Sequence, residues 1–359
     1  MRAVLVAALI LAAVPTVVGC GESDQEFGSL LDNVVAAGAP GVLVVVRDQD
    51  GVRSESRGFA DANEGVAMRP GLRFRIGSVT KTFVAALVLQ LVEDSKLRLD
   101  DTVNRWLPGL VPGGRSITVR QLLSHTAGLF DYVEDPRIFQ DRHRRWRPRQ
   151  LVVLATTHPP EHATPGRGFA YSSTNYVVLG LIAEAATHVP LRRLLRERLF
   201  EPLDLHSTSF VPGVIRGRHV HGHRRPSHQG VVTGRAVDTS DEPAWWTWAA
   251  GAIVSTAKDV QDFYAALLHG QVIGPRLLHE METLVPAGRL QYGLGLATFP
   301  TPCGRAWGHT GNVQGTIVVA WNTQDAARQV VVVVNTYPLT GELEGAITTL
   351  DDAAFCSAA

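Results

Sequence analysis

Ser78-Val79-Thr80-Lys81, followed at once by the apolar run Phe83-Val84-Ala85-Ala86-Leu87-Val88-Leu89-Gln90-Leu91-Val92, is the stretch on which the reading of this chain turns. Positions i and i+3 lie on one face of a helix, so the Lys81 amine and the Ser78 hydroxyl can meet. A serine hydroxyl is a poor nucleophile at neutral pH and needs an adjacent base; a lysine serves when desolvation or a nearby cation lowers its pKa. Upstream, Leu72 to Ile76 reads as a strand and Gly77 as a breaker. The helix that follows would bury an apolar face and hold Lys81 rigidly.

The same four-residue pattern recurs as Ser255-Thr256-Ala257-Lys258, although the chain has only three lysines, Lys81, Lys96 and Lys258. The second copy has a local explanation. Ser255 or Thr256 followed by Asp259 reads as a helix N-terminus ahead of the amphipathic Val260 to Leu268, which ends at Gly270. Ser78 is therefore the candidate nucleophile, and partners elsewhere must decide.

With 359 residues the chain can bury a large core, and its 34 basic side chains balance 34 acidic ones. That balance gives no support to a nucleic-acid partner. The basic run Asp141 to Arg149 reads as a solvated loop. Residues 1–20 read as an export signal: Arg2 precedes an apolar, small-residue stretch containing Pro15, which is short for a bilayer span. It ends Val17-Val18-Gly19-Cys20, a lipobox-like sequence, so the expectation is an exported protein anchored to the cell membrane by a lipid on Cys20. Cys303 and Cys356 remain, and in an oxidising exterior they read as one disulfide.

Gly41 to Arg47 reads as a buried strand, Asp48-Gln49-Asp50-Gly51 as a turn, and Val52 to Phe59 as the returning strand of a hairpin. Near the other end, Tyr292 to Leu296, Thr316 to Trp321 and Gln329 to Asn335 are strand candidates, and Gly341 to Phe355 a last helix. Strands at both ends around a helix-and-loop middle imply an α+β chain: one antiparallel sheet built from the N- and C-terminal segments, flanked by helices, with a mainly helical lobe inserted. The expected division is 21–95 plus 245–359 for the sheet domain and 96–244 for the lobe.

Two further segments carry polar groups suited to a cleft. Tyr171-Ser172-Ser173 lies between Pro165-Gly166-Arg167-Gly168 and an apolar helix, Val177 to Ala186; a tyrosine there can act as base or proton shuttle once cations stabilise its phenolate. Gly308-His309-Thr310-Gly311-Asn312 lies between two strands. His309 and Thr310 offer side-chain donors and Asn312 a backbone N–H for an oxyanion hole. In this order Ser78-x-x-Lys81, Tyr171-Ser172-Ser173 and His309-Thr310-Gly311 resemble the three motifs of the penicillin-recognising serine hydrolases. Their forms are similar to the branch with class C β-lactamases, related esterases and secreted low-molecular-mass DD-carboxypeptidases. The segments Phe74 to Lys81, Thr118 to Leu129 and Gly308 to Gly315 carry the resemblance further, over roughly residues 30 to 356. It implies a β-lactamase/transpeptidase-like fold and an acyl-serine mechanism. Ser78 would be acylated, with Lys81 and Tyr171 handling protons. The N–H groups of Ser78 and Asn312 would form the oxyanion hole, while His309 and Thr310 orient a substrate carboxylate. Trp246 and Phe139 would wall the cleft, and the Cys303–Cys356 pair is similar to that family's disulfide.

Two departures bear on substrate. The third residue of the second motif, usually asparagine, is Ser173, among the substrate-binding candidates. The arginine-rich run that holds a terminal carboxylate in the DD-carboxypeptidase is here Leu296-Ala297-Thr298-Phe299-Pro300, without a cation. The expected activity is therefore hydrolysis through an acyl-serine, of DD-carboxypeptidase or β-lactamase-related type. An esterase or D-amino-acid amidase on the same scaffold and a weakly catalytic penicillin- or cell-wall-peptide-binding protein are the alternatives. The substrate would be a small molecule or peptide (a peptidoglycan stem peptide, a β-lactam or an ester), and the protein a monomer. No cofactor is called for. His219, His221 and His223 have no acidic residue interleaved, and the mechanism needs no ion, so no metal site is expected.

Overall fold

The computed structural model describes residues 23–228, 231–232 and 236–357. The expected export signal and Cys20 lie outside these residues. Nine strands form one antiparallel sheet: β1 (Gly41–Asp48), β2 (Gly51–Asp61), β3 (Val66–Ala67), β4 (Val285–Ala287), β5 (Leu290–Tyr292), β6 (Ala297–Thr301), β7 (Gly304–Val313), β8 (Thr316–Asn322) and β9 (Gln329–Val334). Their spatial order is β4-β5-β6-β7-β8-β9-β1-β2-β3. The two termini of the chain thus meet at the centre of the sheet, where Val44 of β1 pairs with Val332 of β9, and Val332 with Val319 of β8.

Alternation along β1 sorts its side chains between two cores. Val42, Val44 and Val46 pack with Phe27, Leu31 and Val34 of helix α1 (Ser23–Ala36) and with Leu343, Ile347 and Leu350 of the last helix, α5 (Gly341–Cys356). Leu43 and Val45 face the larger core with α2 (Thr80–Glu93) and α4 (Ala257–Leu268). Helix α2 is buried on every side from Thr80 to Leu89, as expected of a helix apolar all round. Between the two parts of the sheet lie α3 (Ser173–Thr187) and several shorter helices.

Two expectations need revision. Tyr292 to Leu296 is not a strand. β5 ends at Tyr292 and β6 starts at Ala297, because Gly293, Leu294, Gly295 and Leu296 make a turn in which Gly295 has φ +82°. Gly308 to Asn312 is no inter-strand loop but the body of β7. The inserted lobe carries its helices up to Phe200, and beyond Ser209 it continues as short strand pieces, such as Ser209–Phe210 and His223–Arg224.

Candidate active site

β6 pairs with β7 only as far as Gly308, opposite Ala297, so the following stretch, His309 to Val313, has one edge free of a strand neighbour. The short turn carrying Ser78 docks against that edge. Gly77 takes φ +50°, and a Cβ there would lie 2.6 Å from the Asn312 nitrogen; one on Gly311 would lie 2.0 Å from the Ile76 carbonyl oxygen and 3.1 Å from the Ser78 nitrogen. Side chains at either place would push the two segments apart. The bare backbones instead bring the N–H groups of Ser78 and Asn312 into one corner, the arrangement an oxyanion hole requires.

Ser78 heads the turn into α2, and Lys81 lies one helical turn on. The Lys81 Nζ donates to Ser78 Oγ at 2.9 Å and to the Ala250 carbonyl at 3.0 Å. The side chain is fully buried, and desolvation brings its pKa down to about 7, against the opposing charge of Asp131. Nζ also sits 4.9 Å from the centre of the Tyr171 ring. Tyr171 precedes α3, and the Ser78 side chain acts on its hydroxyl, favouring the anion against burial. Burial pushes the Tyr171 pKa up, so the phenol stays protonated. The expectation of a cation-stabilised phenolate is therefore corrected: desolvation penalises that anion, and Lys81 itself is shifted toward neutrality.

His309 is buried, and its pKa falls to about 3, chiefly through desolvation and then through Lys81. Its Nδ1 faces the Thr310 carbonyl and its Nε2 lies 3.0 Å from the Tyr292 hydroxyl. Both ring nitrogens are thus engaged by the protein, so the imidazole is not the substrate donor the sequence suggested. Thr310 and Asn312 are exposed on β7. Phe139 and Trp246 meet edge to face at 5.3 Å, and the Tyr132 hydroxyl donates to the Trp246 carbonyl at 2.6 Å. The basic run is not simply solvated: Arg142 lies 5.5 Å from the Phe139 ring centre and Arg145 4.9 Å from that of Trp245.

The second Ser-x-x-Lys is far from this chemistry. Ser255 is buried against the Thr208 hydroxyl at 2.7 Å, the Thr256 hydroxyl caps α4 by accepting from the Asp259 N–H, and Lys258 is exposed and paired with Asp262 at 2.6 Å. Cys303, in the turn from β6 to β7, is joined to Cys356 at the end of α5, Cα to Cα 5.5 Å. Acidic partners absent from the sequence around His221 come from elsewhere: its Nδ1 lies 2.9 Å from Asp238 and 3.5 Å from Asp61, a staple across β2 and the middle segment.

Two residues were missed as site candidates. His125 is fully buried and stacks on Tyr171 with ring centres 4.3 Å apart. Asp131 is acted on by Ser173 and acts electrostatically on Lys81. The sequence offered His125 only as part of a segment of general resemblance. Asp131 had no signal, since its partners lie far along the chain.

The profile of the family described as Beta-lactamase matches residues 27–355. The chain belongs to the beta-lactamase family. It has the β-lactamase/transpeptidase-like fold, with penicillin-binding proteins among its relatives. A D-stereospecific amidohydrolase from Streptomyces sp. superposes with a TM-score of 0.83 at 32% identity, covering 93% of this chain and 99% of that one. The D-amino acid amidase of Ochrobactrum anthropi SV3, in a structure with L-phenylalanine amide, gives 0.83 at 26% identity, covering 93% and 98%. Penicillin-binding protein 4 of Amycolatopsis lactamdurans is 34% identical over 235 residues, 62% of this chain and 58% of the relative. The chain spans between 40% and 66% of the length of the first curated relatives it matches.

Proposed function

We propose that this family member hydrolyses small amides or esters of D-amino acids through an acyl-enzyme on Ser78. The reading rests on the Ser78–Lys81 pair: a 2.9 Å hydrogen bond from a lysine whose pKa is about 7, beside two backbone donors on an open strand edge. Ser78 Oγ attacks the carbonyl carbon as its proton passes to Lys81 Nζ, and the developing oxyanion is held by the N–H groups of Ser78 and Asn312. Collapse breaks the bond to the amine or alcohol, which leaves with a proton relayed from Lys81 through the Tyr171 hydroxyl. Water then repeats the attack on the acyl carbon and frees Ser78. Thr310 orients the substrate, and Phe139 and Trp246 wall the side-chain pocket.

Two features favour amides and esters over a stem peptide: Leu296 to Pro300 has no cation for a terminal carboxylate, and Ser173 stands where an amide would bind a peptide carbonyl. The likeness to the two D-specific amide hydrolases points the same way. A DD-carboxypeptidase-type activity is the second reading, supported by the likeness to penicillin-binding protein 4. Export and a lipid anchor on Cys20 belong to the proposal as well and rest on the N-terminal sequence alone.

The deciding experiment incubates the protein separately with D-phenylalanine amide, D-phenylalanine methyl ester and diacetyl-L-Lys-D-Ala-D-Ala, and follows intact mass and product. Turnover of the first two with an acyl adduct on Ser78 is expected. Turnover of the tripeptide alone would put the second reading in its place.

A further inference from the structure

Residues 130–132 are laced to the start of α3. Thr174 Oγ1 donates to the Phe130 carbonyl at 2.6 Å, Ser172 Oγ to the same carbonyl at 3.2 Å, and the Tyr132 N–H to Thr174 Oγ1 at 3.2 Å. These bonds hold Asp131 beside Ser173, whose backbone and hydroxyl both favour the Asp131 anion. The Val133 N–H donates to Asp131 Oδ1 at 3.1 Å.

Ser173 is therefore not a free hydroxyl standing in for an amide. It belongs to an Asp131–Ser173 pair that brings a negative charge to the cleft. Burial pushes the Asp131 pKa upward, opposed by Lys81, Val133 and Ser173; the N-terminus of α3 also favours the anion. A carboxylate offers about four acceptor sites, so the bond from Val133 leaves room for further donors. Asp131 is partly exposed, so that donor can come from a ligand. Its charge is felt at both Lys81 and Tyr171, the two side chains on Ser78.

We propose that Asp131, oriented by Ser173, is a specificity-determining anion that binds the protonated α-amino group of the substrate. The site then selects amides and esters of amino acids with an unblocked amine over N-acylated peptides and other neutral acyl donors. The α-amine is two bonds from the carbonyl that Ser78 attacks, so an anion that acts on both Lys81 and Tyr171 is placed to act on that group too. The proposal rests on the acyl-serine reading above.

Asp131 also accepts from the Val133 N–H as the cap of the short turn at 132–134, which by itself would make it only a helix cap. The variant Asp131→Asn separates the two roles, because Asn keeps an acceptor oxygen and loses the charge. The measurement is kcat/KM at pH 7 for D-phenylalanine methyl ester divided by that for its N-acetyl derivative. The wild type should favour the free amine by at least tenfold, and Asp131→Asn should lower that ratio by at least tenfold. A variant in which both rates fall together, leaving the ratio within twofold of wild type, would overturn the proposal and leave a cap. If Asp131→Asn does not fold, the wild type decides. D-phenylalanine methyl ester should outpace the neutral D-phenyllactic acid methyl ester by at least tenfold, and a difference below twofold overturns the idea. Failure of the acyl-serine reading looks different: no wild-type ester turnover and no fluorophosphonate label on Ser78, an outcome that removes both.

Discussion

His125 stacks on Tyr171, ring centres 4.3 Å apart and planes 29° from parallel, and its Nδ1 accepts from the Ser172 N–H at 3.1 Å. One imidazole thus fixes both the face of the tyrosine ring and the backbone that follows it. Burial and the neighbouring Lys81 hold the His125 pKa well below its usual value, so the ring is neutral. Asn175 Nδ2 also lies 3.1 Å from the same Nδ1, and His125 itself has φ +56°.

His125→Phe should therefore destabilise the protein by about 1–3 kcal/mol, the cost of stranding the buried Ser172 N–H. It should also slow acylation of Ser78 on the order of tenfold or more by freeing Tyr171. His125→Asn keeps an acceptor and tolerates positive φ, so it should recover part of both losses. Thermal melts and fluorophosphonate labelling rates measure the two effects. Wild-type labelling by a folded His125→Phe protein would show that the stack does not position Tyr171.

Lys81 sets the pH response of acylation. Its pKa of about 7 comes first from desolvation, with Asp131 opposing. Only the neutral amine can take the Ser78 proton, so the labelling rate with an uncharged fluorophosphonate should rise through about pH 7 and then level off. Below that point it should drop about tenfold per pH unit, as expected for a single essential base. Lys81→Arg should be inactive, since arginine stays protonated at any accessible pH. A flat profile from pH 5 to 9, or an active Lys81→Arg, would leave Lys81 as an electrostatic anchor.

What the sequence revealed depended on range. The Ser78–Lys81 pair was legible because a helix places i and i+3 together, and the hairpin of β1 and β2 because both strands flank one short turn. The strand role of His309 to Asn312 was obscured by the glycines at 308 and 311, which mark close backbone approach as readily as a loop. The Asp131–Ser173 and His125–Tyr171 contacts were not legible. They join segments more than 40 residues apart through packing that no local pattern encodes. The same holds for His221, whose acidic neighbours Asp61 and Asp238 arrive from other segments.

Ser78→Ala should abolish covalent labelling, whereas Ser255→Ala should leave it intact. Ser255 is sealed against Thr208, and its lysine points to Asp262 on the exposed side of α4. Loss of the nucleophile should cost on the order of 10³ to 10⁶ in turnover rate. Ser255→Ala should act on stability instead, by about 1 kcal/mol, because it removes one buried hydrogen bond while the Thr208 hydroxyl keeps its bond to Asp259 at 2.8 Å. Peptide mapping of the labelled protein checks the assignment, and a label on Ser255 in the Ser78→Ala background would refute it.

The disulfide should support the fold without taking part in the chemistry. Cys303 sits at the turn between β6 and β7, and Cys356 closes α5, so the bond ties the rim of the sheet to the helix that covers one face. The loop it closes spans 53 residues, for which loop closure gives a stabilisation on the order of 2–4 kcal/mol. Thr310 and Asn312 lie toward the other end of β7, past the point where β6 stops pairing, so they should feel little of the change. Cys303→Ser with Cys356→Ser, in protein beginning after residue 20, should therefore melt several degrees lower and still label Ser78 at near wild-type rate at 25 °C. Thiol titration of the unmutated protein, unfolded without reductant, should find none free. Two titrating thiols would break the pairing, and a double variant that melts like wild type would mean that the bond adds nothing to stability.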